Sequence, residues 1–262
     1  MEFIGGIPRL MRSHRLKILL IDTCGATGSI ALADPTRPLA VATLPGRSAA
    51  ERLVPAIHSL ATSSGLSLGE LEAVAVVHGP GSFTGVRVGL SAAKGLCHAL
   101  NLPLVAISRL AVLASLAEPP ARVPHPSQFH RDEWENSVRA LLDAGRGEFY
   151  SGLYANGLCL RESLLTRDQL LAEANREPRQ LFVVCEPAVA QSIAELNPQL
   201  VAEPTAASAL PLALARIRQR AFDDPASIDA NYLRRSDAEI FAKPIAAAAP
   251  QPHPSHSGTP SR

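Results

Sequence analysis

Two stretches of this chain read alike although they share few residues. Residues 18–32 (ILLIDTCGATGSIAL) and 139–153 (RALLDAGRGEFYSGL) each contain an apolar strand ending in aspartate, Asp22 in one and Asp143 in the other. Each continues through a small, glycine-containing turn into a second strand. A short apolar run between turn signals reads as a buried strand. The elements after each opening are also alike. After the first come a strand over 39–44 and a helix over 50–63, with Leu53, Ile57 and Leu60 on one stripe and Gly65 as its stop. Then come a buried strand at 71–77, a glycine-rich turn at 78–82, a helix over 84–100, a short strand at 104–107, and a helix to 117 capped by Ser108. After the second come a strand at 158–163, a helix to 175 capped by Thr166, a strand at 181–185, and helices over 187–196 and 208–222. The repeat lies in the order of elements more than in the residues.

Two such halves facing each other describe an α/β, two-lobed actin-like ATPase (ASKHA) architecture with duplicated ribonuclease-H-like lobes. In that architecture the paired hairpins grip phosphates and the two aspartates manage metal and water. The expected organisation is an extension at 1–15 (with Met11 as an alternative start), an N-terminal lobe at 16–107 and a C-terminal lobe at 108–242. The second lobe would carry a proline-rich insertion at 118–136, and a Pro/Ser/His-rich disordered tail would follow at 243–262.

Lys plus Arg number 25 and Asp plus Glu 24, a formal net charge of +1. That balance gives no overall electrostatic footprint for nucleic acid or an anionic membrane. With 47% hydrophobic residues the chain reads as globular, and its 19% charged residues fall below the usual value of about 25%. No window reaches eighteen uncharged apolar residues, so no membrane span is expected. Cysteines 24, 97, 159 and 185 contain no C-x-x-C pair, which argues for reduced thiols in a cytoplasmic protein. The eight histidines contain no pair four residues apart, so an H-x-x-x-H metal pair is missing and no metal site is expected.

The strongest local signal is GPGSFTGVRVG at 79–89. It follows a buried strand and opens a helix, where backbone N–H groups can meet an anion. It lacks the Gly-Lys-Ser/Thr of a P-loop and the G-x-G-x-x-G spacing, and Pro80 removes an N–H. The competing reading is a tight turn with close helix packing, glycine standing where a Cβ would clash. Asp22 and Asp143 are open to two readings, as hairpin carboxylates doing chemistry or as caps of their own turns. Ser91-Ala-Ala-Lys94 matches an S-x-x-K nucleophile pattern, but no Lys-Thr-Gly accompanies it.

The run HGPGSFTGVRVGLSAAKGL, with IDTCGATGSIAL before it, closely resembles the TsaB family, bacterial non-catalytic partners of the TsaD enzyme in tRNA threonylcarbamoyladenosine (t6A) synthesis. AERLVP at 50–55, LDAGRGEFY at 142–150 and YLRRSDAE at 232–239 support it in family order, so that the resemblance spans roughly 16–242. Ala49 and Gly145 depart from the family's usual His and Arg. The resemblance implies a scaffold that binds a TsaD-like catalytic subunit and supports N6-threonylcarbamoylation of adenosine 37 in ANN-decoding tRNAs. It implies no catalytic residue of its own, a homodimer when alone, contact with tRNA only through the complex, and a TsaE-like ATPase joining through it. No resident cofactor is implied, and nucleotide at the partner junction is left open. The alternative is a stand-alone actin-like ATPase or an acyl or phosphoryl transferase. In the family, two helices meet the partner's equivalent pair as a four-helix bundle. That places Leu53, Ile57, Leu60, Val86, Leu90 and Ala93 at the interface, beside a glycine loop of Gly79, Gly81, Ser82, Thr84 and Gly85. The second helix carries another small and aliphatic stripe, Val88, Ala92, Leu96 and Ala99, and which stripe faces outward is undecided from sequence.

Overall fold

The computed structural model describes residues 16–45, 49–118, 137–177 and 179–233. The expected extension at 1–15, all but the first residue of the 118–136 insertion, and the tail at 243–262 lie outside the described residues.

Ten strands form two five-stranded sheets among the described residues. The first contains β1 (Ile18–Asp22), β2 (Gly28–Ala33), β3 (Pro38–Leu44), β4 (Ala73–Val77) and β5 (Leu104–Ile107), in the order β3-β2-β1-β4-β5. The second contains β6 (Ser137–Gly145), β7 (Glu148–Ala155), β8 (Leu158–Thr166), β9 (Leu181–Val184) and β10 (Gln199–Leu200), in the order β8-β7-β6-β9-β10. In each sheet the first three strands pair antiparallel and the last two add in parallel. The two halves therefore repeat one topology.

Every residue of β1, β2 and β4 is buried, which requires cover on both faces of the first sheet. Helices α1 (Ala49–Ser63) and α2 (Phe83–Leu100) supply one cover. The other comes from far along the chain. A 3-10 turn at Ala206–Ala209 and α6 (Leu210–Arg218) place Ala206, Ala209, Leu210, Ala213, Leu214 and Ile217 in the same core. The sequence reading kept this segment with the second half. The physical reason for the return is the first sheet's second apolar face, which α1 and α2 leave open. α3 (Arg109–Ser115) lies between the two cores, packing Leu110 and Leu113 against Ala140, Leu142, Tyr154 and Val183 of the second sheet while Val112 joins the first core.

Two further elements differ from expectation. The helix expected at 187–196 is α5 (Pro187–Ser192) followed by a 3-10 turn at Ala194–Leu196, because Ile193 leaves helical geometry at φ −127° with its side chain fully buried. The helix expected to reach 222 stops at Arg218, and Arg220 turns left-handed at φ 55°. In the second sheet Arg139 is 1% exposed. Its Nε donates to Gln180 Oε1 at 2.7 Å, and its Nη1 donates to Ser151 at 3.1 Å and to Glu173 at 2.9 Å. These bonds tie α4 (Arg167–Arg176) to β6 and β7. α4 itself starts with the expected Thr166 cap, which accepts from Gln169. Among the described residues no helix is long and apolar enough to cross a membrane.

Candidate functional site: an interlobe cleft and an outer helix groove

The turn after β1 is held against α2 by missing side chains. A Cβ on Gly81 would strike the Cys24 carbonyl, one on Gly85 the Thr23 carbonyl, and one on Gly89 the Thr23 hydroxyl. Four-residue spacing puts Gly85 and Gly89 on one face of α2, and Gly81 precedes the Ser82 cap. Ser82 N–H donates to the Cys24 carbonyl at 2.8 Å, and the Thr23 hydroxyl donates to the Gly85 carbonyl at 2.5 Å. Ser82 also caps the helix, accepting from Gly85 N–H at 3.3 Å. Gly79, at φ 108°, adopts a backbone region that side chains disfavour, and its carbonyl accepts from Arg109 N–H at 2.7 Å. Close packing accounts for the glycine spacing, and two of the helix's leading amides, those of Ser82 and Gly85, are already used. Thr84 is exposed on the rim.

Both hairpin carboxylates close their own turns. Asp22 Oδ1 accepts from Cys24 N–H at 2.8 Å, and Asp143 Oδ1 accepts from Gly145 N–H at 2.7 Å. Their surroundings differ, since Asp22 is buried and Asp143 exposed. Burial pushes the Asp22 carboxyl above its ordinary range, opposed by the nearby Arg109 and by the Cys24 amide. Arg109 is 5% exposed and donates from Nη2 to Glu203 Oε1 at 2.9 Å. Burial pulls its guanidinium pKa down, but Asp22, Cys24, Cys185 and Glu203 together outweigh that, and it stays charged.

These groups line a cleft of about 920 Å³ between the lobes, bounded by the first hairpin, the glycine loop, Arg109, the start of the second turn and the 185–187 segment. Among the described residues its lining carries the carboxylates Asp143, Glu186 and Glu203 against one cation, Arg109, which Glu203 already engages. An unaccompanied phosphate chain would meet net negative walls. The two thiols on the lining, Cys24 and Cys185, are held protonated at neutral pH by burial, Cys185 pushed up to about 11, so neither is an activated nucleophile. Among the described residues no three His, Cys, Asp or Glu side chains are grouped to hold a metal ion. Sequence reading missed Arg109 and Glu203. Arg109 is the first residue of a helix otherwise read only for its cap, and nothing local marks it as buried.

The expected interface residues do not face outward. Leu53, Ile57, Leu60, Val86, Leu90 and Ala93 are all buried, from 0% to 8% exposed, in the first sheet's core. This corrects the expectation for Ile57, Leu60, Val86, Leu90 and Ala93, because a side chain inside its own lobe offers no surface to a partner; Leu53, also buried, reaches the floor of the outer groove. The outer face of the two helices is a groove of about 580 Å³ lined by Ala50, Leu53, Val54, Phe83, Thr84, Arg87, Val88, Ser91 and Ala92. Val54 is 59% exposed and Phe83 53%, large apolar groups left in water. The Arg87 guanidinium lies 3.8 Å from the Phe83 ring centre. Its Nε donates to Tyr232 Oη at 2.7 Å, and the Tyr232 ring centre lies 5.5 Å from that of Phe83.

Two lobes of one repeated strand order, each opening on an aspartate hairpin and facing the other across a cleft, define a two-lobed actin-like protein of duplicated ribonuclease-H-like lobes. A solved Pseudomonas aeruginosa protein described as uncharacterized, with similarity to peptidase YEAZ, superposes with a TM-score of 0.63 at 27% identity, covering 84% of this chain and 100% of that one. The chain belongs to the family described as "TsaD: tRNA N6-adenosine threonylcarbamoyltransferase", whose model matches residues 43–181, just over half of its length. Its relatives include TsaB proteins. It is 32% identical over 161 residues to the tRNA threonylcarbamoyladenosine biosynthesis protein TsaB of Bacillus subtilis, and 34% identical over 139 residues to that of Escherichia coli. These matches take in 60% and 53% of this chain and 64% and 55% of the relatives, so the chain spans between half and two thirds of their length.

Proposed function

We propose that this chain is the docking subunit of a t6A-forming complex. It binds a TsaD-like catalytic subunit through the outer face of α1 and α2 and supports N6-threonylcarbamoylation of adenosine 37 in ANN-decoding tRNAs without performing the transfer. The observation that carries the reading is the groove: two helices of a core-packed lobe leave Val54 and Phe83 in water beside small residues that allow close approach. Homologous subunits with the same helix pair can meet there face to face, as a homodimer when the catalytic subunit is absent. The non-catalytic half of the reading is supported by the cleft, where both hairpin carboxylates are engaged in their turns and the one cation is engaged by Glu203. A TsaE-like ATPase and the tRNA reach this chain through the complex. Mixing it with the same cell's tRNA N6-adenosine threonylcarbamoyltransferase and weighing the product by light scattering tests the docking. A heterodimer is expected, and two non-interacting species would overturn the reading.

A further inference from the structure

The segment at 229–233 touches both lobes and the groove at once. Ala230 is buried with the first core. Asn231 N–H donates to the His78 carbonyl at 2.8 Å, at the entrance of the glycine loop. Its side-chain Nδ2 donates to Glu162 Oε2 at 2.6 Å, on β8 of the second sheet. The other oxygen of Glu162 accepts the Tyr154 hydroxyl, so this carboxylate is held from two sides. One residue further on, Tyr232 stacks beside Phe83 and accepts from Arg87.

Phe83 and Arg87 are exposed side chains on the outer face of α2, where long rotamers move freely unless something fixes them. Tyr232 fixes both, one by ring contact and the other by its hydroxyl. It engages Arg87 at Nε, and among the described residues the two Nη groups make no hydrogen bond or ion pair, which leaves their planar fork to a carboxylate. We propose that 229–233 is a positioning strap of the docking surface. It presets Phe83 and Arg87 for the catalytic subunit, and through Asn231 and Glu162 it makes that setting depend on where the second lobe stands. The matching partner face is an aliphatic stripe flanked by an acidic side chain. The inference rests on the docking reading above and adds residues to it that lie outside the two helices.

The test is calorimetric titration of the full chain with the catalytic subunit. Tyr232→Ala is expected to weaken binding about tenfold or more. Tyr232→Phe keeps the ring contact with Phe83 but releases Arg87, and should bind at intermediate strength, about threefold weaker than wild type. Asn231→Ala alters a side chain turned toward the second lobe, away from the groove, and should still weaken binding about threefold or more. Tyr232 is 42% exposed, so its replacement leaves the fold standing, which a thermal melt checks. Wild-type binding by Tyr232→Ala overturns the strap. Tyr232→Phe binding as weakly as Tyr232→Ala overturns positioning by the ring. Wild-type binding by Asn231→Ala overturns the link to the second lobe. Val54→Glu separates the two levels. If it abolishes binding while Tyr232→Ala does not, the strap is wrong and the docking face stands; if it too binds normally, the docking reading itself fails.

Discussion

At the scale of single residues, two glycines on one helix should respond in opposite directions. A methyl group at Gly85 meets the Thr23 carbonyl, and backbone cannot step aside as a side chain can. Gly85→Ala is expected to cost about 1–3 kcal/mol in urea unfolding. Gly95, on the same helix, has nothing within 4 Å of where its Cβ would stand, and Gly95→Ala should stabilise by about 0.5–1 kcal/mol. Equal effects from both would contradict the packing origin of the glycine spacing. Asp22 offers a second check. Burial raises its folded pKa above 3.8, so the folded chain binds more protons than the unfolded one between that value and the raised one. Its contribution to stability is therefore fully present below the ordinary carboxylate range and is lost as pH rises through the folded pKa. Carboxyl-carbon NMR should place its midpoint above 3.8, and Arg109→Leu, which removes the opposing charge, should move it higher still. A midpoint that falls in that variant would show that Arg109 does not face Asp22 as described.

At the scale of elements, the two stripes of α2 show where sequence stops informing. Val86, Leu90, Ala93 and Cys97 form one, and Val88, Ala92, Leu96 and Ala99 the other; both are apolar, and the sequence contains nothing that ranks them. The position of the first sheet decides, burying the former. Leu90→Glu should therefore unfold the protein, costing about 3–5 kcal/mol for a charge without a partner. Val54→Glu should leave stability within about 0.5 kcal/mol and weaken association about thirtyfold or more. Thermal melts alongside binding measurements separate these outcomes, and a well-folded Leu90→Glu would place the stripes the other way round. The hairpins were legible because an apolar run leads to an aspartate and a glycine turn in each, although only β1 ends at its aspartate and β6 runs on to Gly145; α4 was legible because Thr166 is a helix cap. β10 was not legible, since two residues make no pattern. Nor was the burial of Arg139 and Arg109, whose partners Glu173, Gln180 and Glu203 lie more than thirty residues away. The break at Ile193 depends on a core pocket, not on a local stop signal.

At the scale of the molecule, duplication gives two lobes of one design with different fates at their aspartates, one sealed beside Arg109 and the other at the surface. α3 contributes Val112 to the first core and Leu110 and Leu113 to the second, and 206–218 packs into the first, so the halves are laced by packing as well as by sequence. Among the described residues the cleft between them has a net negative lining, with Arg109 engaged by Glu203. The isolated chain incubated with ATP and Mg²⁺ is expected to release no phosphate above background; steady turnover would favour a stand-alone enzyme. The surface left for work is the outer groove with its strap. The most direct measurement of that claim is reconstituted threonylcarbamoylation, with t6A counted by mass spectrometry after digestion of the tRNA. The TsaD-like subunit, threonylcarbamoyl donor and complex ATPase would be combined with wild-type chain, with Val54→Glu, or with no chain, and the chain would also be tried without the TsaD-like subunit. The account requires t6A only where wild-type chain and catalytic subunit are both present, and its loss with Val54→Glu. Modification by this chain without that subunit, or undiminished modification with Val54→Glu, would contradict it.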